Sequence, residues 1–121
     1  MTIYDEAMQA HLNLRGKLQV TTKVPLESKH DLSIYYSPGV GAVASHLGNH
    51  PADTPLYTGT NNSVAIISDG SAVLGLGNIG PEGALPVMEG KAMLFKQFAG
   101  IDGYPIVLNT QDPHEIINTV L

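Results

Sequence analysis

A lysine in the second half of the chain has the residue type and the setting of a general base. Lys91 shares one stripe of a predicted helix with Val87, Leu94 and Phe98, at spacings of i, i+4, i+7 and i+11. An ammonium group on an apolar stripe is costly unless it finds a partner, so such surroundings favour the neutral amine, which can accept a proton. A lysine whose stem crosses the apolar surface and whose head reaches water is the alternative, and the residues alone leave it open.

A tyrosine in the first half is a second candidate for proton transfer. Tyr36 precedes Ser37-Pro38, which predicts a helix with Ser37 as its N-cap and Pro38 in its first turn. The N-terminus of a helix favours anions, so a phenol there could donate a proton to an anionic substrate. The alternative is a ring that packs in the interior with its hydroxyl satisfied.

A glycine-rich segment, residues 75–80, matches the dinucleotide-binding pattern G-x-G-x-x-G between a predicted strand and a predicted helix. In that pattern an acidic residue ends the next strand, whereas here Asp102 precedes the strand and Asn109 ends it. Glu82 would also repel a phosphate at the start of the helix. We therefore favour glycines that permit close packing over nucleotide binding, which remains the lesser alternative.

The remaining polar residues predict no metal site in this chain. Asp69, in Ser68-Asp69-Gly70, is typical of a turn. His46 and His50 are spaced i, i+4, but Gly48 is predicted to end the helix between them. The five histidines show no metal-ligand spacing: His11, His30, His46, His50 and His114.

The composition limits the classes of partner. The 121 residues fit one domain, and charged residues make up 14%, against about 25% in typical proteins, so another domain or subunit is expected to cover part of the surface. The net charge of −5 argues against nucleic acid. No apolar run predicts a membrane span, and the absence of cysteine excludes disulfides and thiolate sites. These features fit a cytoplasmic protein.

The elements that position these residues predict an α/β fold. We expect a small, mostly parallel sheet flanked by helices, preceded by a helical and extended N-terminal segment. The predicted helices cover residues 5–14, 38–47, 81–99 with a break near Pro86, and a stretch that begins at Asp112-Pro113. The predicted extended segments are an arm at 18–24, strands at 64–67 and 105–108, and a hairpin partner at 72–74, with a loop at 49–62.

Three segments, in order along residues 1–121, closely resemble the N-terminal, substrate-side domain of bacterial malic enzymes. They are residues 36–41 (YSPGVG), 67–80 (ISDGSAVLGLGNIG) and 89–96 (EGKAMLFK). The resemblance implies that Lys91 is the general base that takes the proton of the malate hydroxyl. It implies that Tyr36 is the general acid that protonates the enol of pyruvate after decarboxylation. It also implies that residues 75–80 are not the cofactor site.

The resemblance further implies what lies outside this chain. Malic enzymes are longer, and they bind NAD or NADP on a downstream Rossmann domain and Mg²⁺ or Mn²⁺ through acidic residues beyond residue 121. We therefore expect a truncated domain that binds neither group and is inactive alone, because oxidation of malate to pyruvate and CO2 needs both. A homodimer or higher homo-oligomer is expected. An oxaloacetate decarboxylase of the same family and a non-catalytic oligomerisation or regulatory module are the alternatives.

Overall fold

The computed structural model describes all of residues 1–121, which form two compact units. The first unit contains Met1–Gln19 and Ser63–Leu121, and the second contains Val20–Asn62. The helices and strands are, in chain order, α1 (Ile3–Leu14), α2 (Lys29–Tyr35), α3 (Val40–Asn49), α4 (Thr54–Tyr57), β1 (Ser63–Ser68), α5 (Gly80–Ala99), β2 (Asp102–Val107) and α6 (Pro113–Val120). None of these helices combines the length and the hydropathy that a membrane span requires.

The sheet lies in the first unit and has two parallel strands. β1 and β2 pair from Ser63 opposite Asp102 to Ser68 opposite Val107, and α5 connects them. β1 contains the apolar run predicted at 64–67, and β2 overlaps the run predicted at 105–108. The expectation that both strands are buried is wrong for this chain, because Ile66 alone among their residues is buried. The expected α/β class, with a small parallel sheet flanked by helices, is confirmed.

The core of this unit is a close contact between α5 and the sheet. Ile66, Ala84 and Ala92 are its buried apolar residues. A Cβ atom added to Gly103 would lie 2.9 Å from Cδ1 of Ile66 and 3.1 Å from Cβ of Ala92. α5 therefore approaches β2 through small residues, and Gly103 leaves the space that this approach needs.

Side-chain caps explain where the flanking helices begin. The Thr2 hydroxyl accepts from the Asp5 amide and the Thr2 amide donates to the Asp5 carboxylate, a reciprocal capping box at the start of α1. Asp112 caps α6 by accepting from the His114 amide at 2.8 Å. The predicted starts of both helices are therefore accurate to within two residues.

The second unit differs more from the sequence-based expectation. α2 was not predicted, although the Ser28 side chain caps it by accepting from the Asp31 amide. The helix expected over residues 38–47, with Ser37 as its N-cap, begins at Val40 instead, with Gly39 as an N-cap that has no side-chain bond. It also continues through Gly48, the predicted end, to Asn49. Residues 49–62, expected as loop, contain α4 and two short 3₁₀ helices, at Pro51–Asp53 and Gly59–Asn62. These pieces have one turn each, too short for a periodic pattern to reveal.

Two further expectations in the first unit are wrong. Residues 72–74 form no strand, and only an isolated bridge joins Val73 to Gly77. α5 continues through Pro86 without a break, because buried Ala84 and Ala92 hold it against the sheet on both sides of the proline. Residues 18–24, expected as a short strand or extended arm, contain no helix and pair with no strand of this chain, so their pairing with another subunit stays a prediction.

Candidate active site

Lys91 lies in the second half of α5, beside a residue that packs closely on the sheet. Its neighbour Ala92 is 1% exposed and packs against Gly103, which fixes the rotation of this turn relative to β2. Lys91 itself is exposed, and its amine makes no hydrogen bond or ion pair with any group of its own unit. The structure thus holds the backbone rigidly and leaves the amine available.

The apolar stripe that drew attention to Lys91 is not buried within this chain. Val87, Leu94 and Phe98 are 42%, 53% and 84% exposed. The face that α5 buries instead carries Ala84 and Ala92, because only small side chains fit the close approach to the sheet. Lys91 is therefore bordered by large apolar side chains that stay half or mostly exposed in this chain.

Tyr36 directly follows α2 in the second unit. Its amide donates to Leu32 O at 2.9 Å, and its carbonyl accepts from the Val40 amide at 2.7 Å, so backbone bonds on both sides fix the residue. The side chain is 67% exposed, and its hydroxyl has no hydrogen-bond partner. The peptide bond between Ser37 and Pro38, next along the chain, is cis. The phenol is thus exposed, and its hydroxyl is unbonded within this chain.

The glycine-rich segment forms a closed loop rather than a dinucleotide-binding turn. Gly70, with φ +72°, accepts the amides of Ile79 and Gly80 at 3.0 and 3.2 Å, and a Cβ atom on Gly70 would lie 1.9 Å from Gly80 O. Gly75 and Gly77 lie in a turn at the far end of this loop, where added Cβ atoms would meet nothing. β1 ends at Ser68 and does not lead into the glycines, so the strand–turn–helix context of the pattern is missing.

Asp102, the acidic residue with the spacing that the dinucleotide pattern requires, is ion-paired within this chain. Asp102 begins β2 and accepts a 2.7 Å bond from the Lys96 ammonium of α5. The residues present therefore do not fit a nicotinamide dinucleotide: the loop lacks the required approach, and this carboxylate is ion-paired.

The acidic and histidine side chains do not fit a divalent metal either. His46 bonds Asp53 at 2.8 Å and stacks on His50 with ring centroids 4.7 Å apart, but no group of three such ligands converges anywhere in the chain. Asp69 is a turn former, since its Oδ1 accepts from the hydroxyl and the amide of Ser71 at 2.7 and 2.9 Å. These bonds, first that of the hydroxyl, hold the pKa of Asp69 below its usual value.

Two polar clusters in the first unit were not found from the sequence. Asn78 and Gln111 exchange amide bonds of 3.0 and 2.8 Å between the glycine loop and the segment after β2. Lys17, after α1, reaches α5 and bonds Pro86 O at 2.6 Å. Both contacts join residues more than thirty positions apart in sequence, so no local pattern could have indicated them.

Comparison with known proteins identifies the family of the chain. Residues 15–121 match the family model described as the malic enzyme N-terminal domain. The chain is 50% identical over 120 residues to a bifunctional malic/malolactic enzyme of Bacillus subtilis, covering 99% of this chain and 29% of that protein. It is 50% identical over 105 residues to an NADP-dependent malic enzyme of Salmonella typhimurium, covering 87% of this chain and 14% of that protein.

The fold agrees with the sequence comparison. The crystal structure of an NAD-dependent malic enzyme from Thermotoga maritima superimposes with a TM-score of 0.91 at 51% identity, over 94% of this chain and 30% of that one. The chain thus spans less than a third of the length of each of these relatives. With a family model that matches nearly its whole length and a fold that superimposes at this level, the chain belongs to the malic enzyme family, in which it corresponds to the N-terminal domain.

Proposed function

We propose that this chain provides the substrate side of an enzyme that oxidatively decarboxylates malate to pyruvate and CO2 with NAD or NADP. The observation that carries the proposal is Lys91, an amine without a partner on a turn of α5 whose neighbouring residue, Ala92, packs on the sheet. A general base must be held in place while its proton-accepting atom stays free. The packing of Ala92 holds the backbone beside Lys91, and the Lys91 amine is unbonded, which supports this role.

In this proposal Lys91 accepts the proton of the malate hydroxyl as that carbon is oxidised. The apolar side chains beside it, Val87, Leu94 and Phe98, are suited to be covered by a further domain or subunit. Such cover would exclude water and favour the neutral amine that the step needs. The charged residues of this chain are too few to solvate this surface well.

Tyr36 is proposed as the general acid that protonates the enol of pyruvate at carbon. Its phenol has no hydrogen-bond partner, and its backbone is bonded on both sides. In this proposal the Tyr36 hydroxyl gives its proton to the substrate over a hydrogen-bond distance.

The nicotinamide cofactor and the divalent metal are proposed to bind residues that this chain does not contain. Neither the loop at residues 75–80 nor any group of acidic and histidine side chains here fits them. When bound, the dinucleotide supplies the hydride acceptor and the metal supplies Lewis-acid polarisation of the substrate ketone. The chain of residues 1–121 alone is therefore expected to be inactive.

We further propose a cytoplasmic homodimer or higher homo-oligomer. The arm at residues 18–24 has no strand partner within this chain, and α1 exposes Tyr4, Met8 and Leu12, spaced four residues apart on one face. Light scattering on the protein at its natural length should give at least twice the monomer mass. A monomeric mass at high concentration would contradict this part of the proposal.

The test of the activity is an assay of the protein at its natural length with malate, NAD or NADP, and Mg²⁺ or Mn²⁺. Stoichiometric formation of pyruvate and reduced cofactor is expected, and the isolated 121-residue chain should show none. Decarboxylation of oxaloacetate without any turnover of malate would favour the decarboxylase alternative. Absence of both activities would leave the non-catalytic module as the better interpretation.

A further inference from the structure

Lys17 connects the segment after α1 to α5 immediately before Lys91. Its ammonium donates to Pro86 O at 2.6 Å and lies 2.8 Å from Nε2 of His11. Its own backbone amide donates to the Glu89 carboxylate at 3.3 Å. One residue thus makes two bonds to the turn of α5 that leads into the candidate base.

The hydrogen bonds of His11 are consistent with one protonation state. Nδ1 of His11 lies 2.7 Å from Ala7 O, which can only accept, so Nδ1 carries the proton. Nε2 of the neutral ring is then an acceptor for the Lys17 ammonium. The Lys17 ammonium therefore has two acceptors, Nε2 of His11 on α1 and Pro86 O on α5.

The glycines beside this contact allow the close approach. A Cβ atom on Gly16, where φ is +104°, would lie 3.3 Å from Oε1 of Glu89, and one on Gly90 would lie 3.7 Å from Nζ of Lys17. Gly16 therefore turns the chain so that Lys17 can lie along α5. The ammonium reaches the residue that directly precedes Lys91.

The contact with Lys17 lies at the proline of α5, although it does not replace the missing helical bond, whose acceptor would be Glu82 O. Proline has no amide hydrogen, so α5 lacks one hydrogen bond to the preceding turn at Pro86. The loss of such a bond commonly kinks a helix. α5 nevertheless continues without a break. On the sheet side Ala84 and Ala92 hold the helix, and on the other side of this turn Lys17 holds Pro86 and Glu89.

We propose that Lys17 is a positioning residue, whose bonds to Pro86 O and Glu89 fix the direction in which α5 presents the Lys91 amine. This inference rests on the proposed function, because it assigns Lys17 an effect on the step that Lys91 performs. Lys17 makes no contact with the substrate in this proposal. Its removal should impair turnover more than substrate binding.

The test replaces Lys17 by methionine in the protein at its natural length. Methionine keeps an unbranched stem and removes all three N–H donors. We expect kcat for malate to fall about 10–100-fold, since a displacement of about 1 Å in a catalytic group can have this effect, while KM stays within about threefold of wild type. Lys17→Arg, which restores donors, should recover most of the lost kcat.

Two controls separate positioning from general loss of structure. Lys29→Met makes the same replacement at an exposed lysine of the second unit, outside the arm at residues 18–24, and should leave both constants unchanged. Amide hydrogen exchange, followed by mass spectrometry, should become faster in residues 86–91 of Lys17→Met and remain as in wild type in β1 and β2. If Lys17→Met does not fold, Lys17→Gln, which keeps a shorter donor, decides by the same measurements.

Each outcome has a defined meaning. Wild-type protein that does not convert malate to pyruvate would overturn the proposed function. Active wild type, together with a Lys17→Met variant of unchanged kcat, would overturn the positioning role alone. An equal fall in kcat for Lys17→Met and Lys17→Arg, or a rise in KM without a change in kcat, would also contradict it.

Discussion

Replacing Gly103 by alanine places a methyl group in the contact between β2 and α5. The added Cβ would lie 2.9 Å from Cδ1 of Ile66, 3.1 Å from Cβ of Ala92 and 3.2 Å from Cα of Ala92. Carbon atoms in contact rest at about 3.5–4.0 Å, so α5 must move away from the strand by about 0.5 Å. The Ile66 methyl can rotate aside, but the Ala92 atoms belong to the helix and cannot.

The magnitude follows from two opposing terms. Overpacking of this kind destabilises the folded state by about 1–3 kcal/mol. Alanine also lowers the conformational entropy of the unfolded chain, which offsets about 0.4–1 kcal/mol of this loss. We expect a net loss of about 1–2 kcal/mol in the free energy of unfolding, which corresponds to a fall in Tm of about 3–10 °C for a domain of this size.

The contact between Gly103 and Ala92 predicts that substitutions at these two positions are energetically coupled. Denaturant unfolding of the protein at its natural length measures this coupling for Gly103→Ala, Ala92→Gly and the double variant. Ala92→Gly alone should destabilise by about 1 kcal/mol, but combined with Gly103→Ala it should cost less than the sum by at least about 0.5 kcal/mol, because the Cβ in conflict is gone. Gly48→Ala, where an added Cβ meets nothing within 4 Å on α3, is the matched control and should be neutral or stabilising. Additive costs, or a stabilising Gly103→Ala, would refute the close packing of α5 on β2.

Two other predictions concern the loop that joins β1 to α5. Gly70→Ala should destabilise more than Gly75→Ala: both residues have positive φ, but only the Cβ on Gly70 would meet Gly80 O, at 1.9 Å. Equal shifts in Tm for the two variants would contradict this closure of the loop. The second prediction concerns pH. Because the Ser71 hydroxyl lowers the pKa of folded Asp69 from 3.8, the stability it contributes is fully present above that value and is lost as pH falls through the lowered pKa. Ser71→Ala should therefore reduce the fall in Tm between neutral and strongly acidic pH, and an unchanged slope would argue against this bond.

The sequence predicted well those elements that have long apolar patterns or side-chain caps. β1, β2 and α5 carry continuous or periodic apolar residues, and α6 begins at the Asp112 cap as expected. α2 and α4 have seven and four residues, and neither is long enough to show a helical period. The continuation of α5 through Pro86 depends on packing with β2 and on Lys17, which are contacts distant in sequence.

The candidate site shows the same division between local and distant information. The apolar stripe with Val87, Leu94 and Phe98 drew attention to Lys91, but α5 buries its small residues and leaves the stripe exposed in this chain. The pattern indicated an apolar face correctly and did not indicate what covers it. The roles of Lys91 and Tyr36 came from the resemblance of whole segments, and they stay predictions.

The rate of malate oxidation by a Lys91→Ala variant, at saturating malate, metal and cofactor and at the natural length of the protein, tests the central claim most directly. Loss of a general base should lower kcat by about 10²–10⁴-fold, and added methylamine should restore part of the activity by taking over as base. Lys96→Ala, on the exposed side of the same helix and ion-paired with Asp102, should retain the wild-type rate. A Lys91→Ala variant with kcat within threefold of wild type would contradict the assignment of Lys91 as the base.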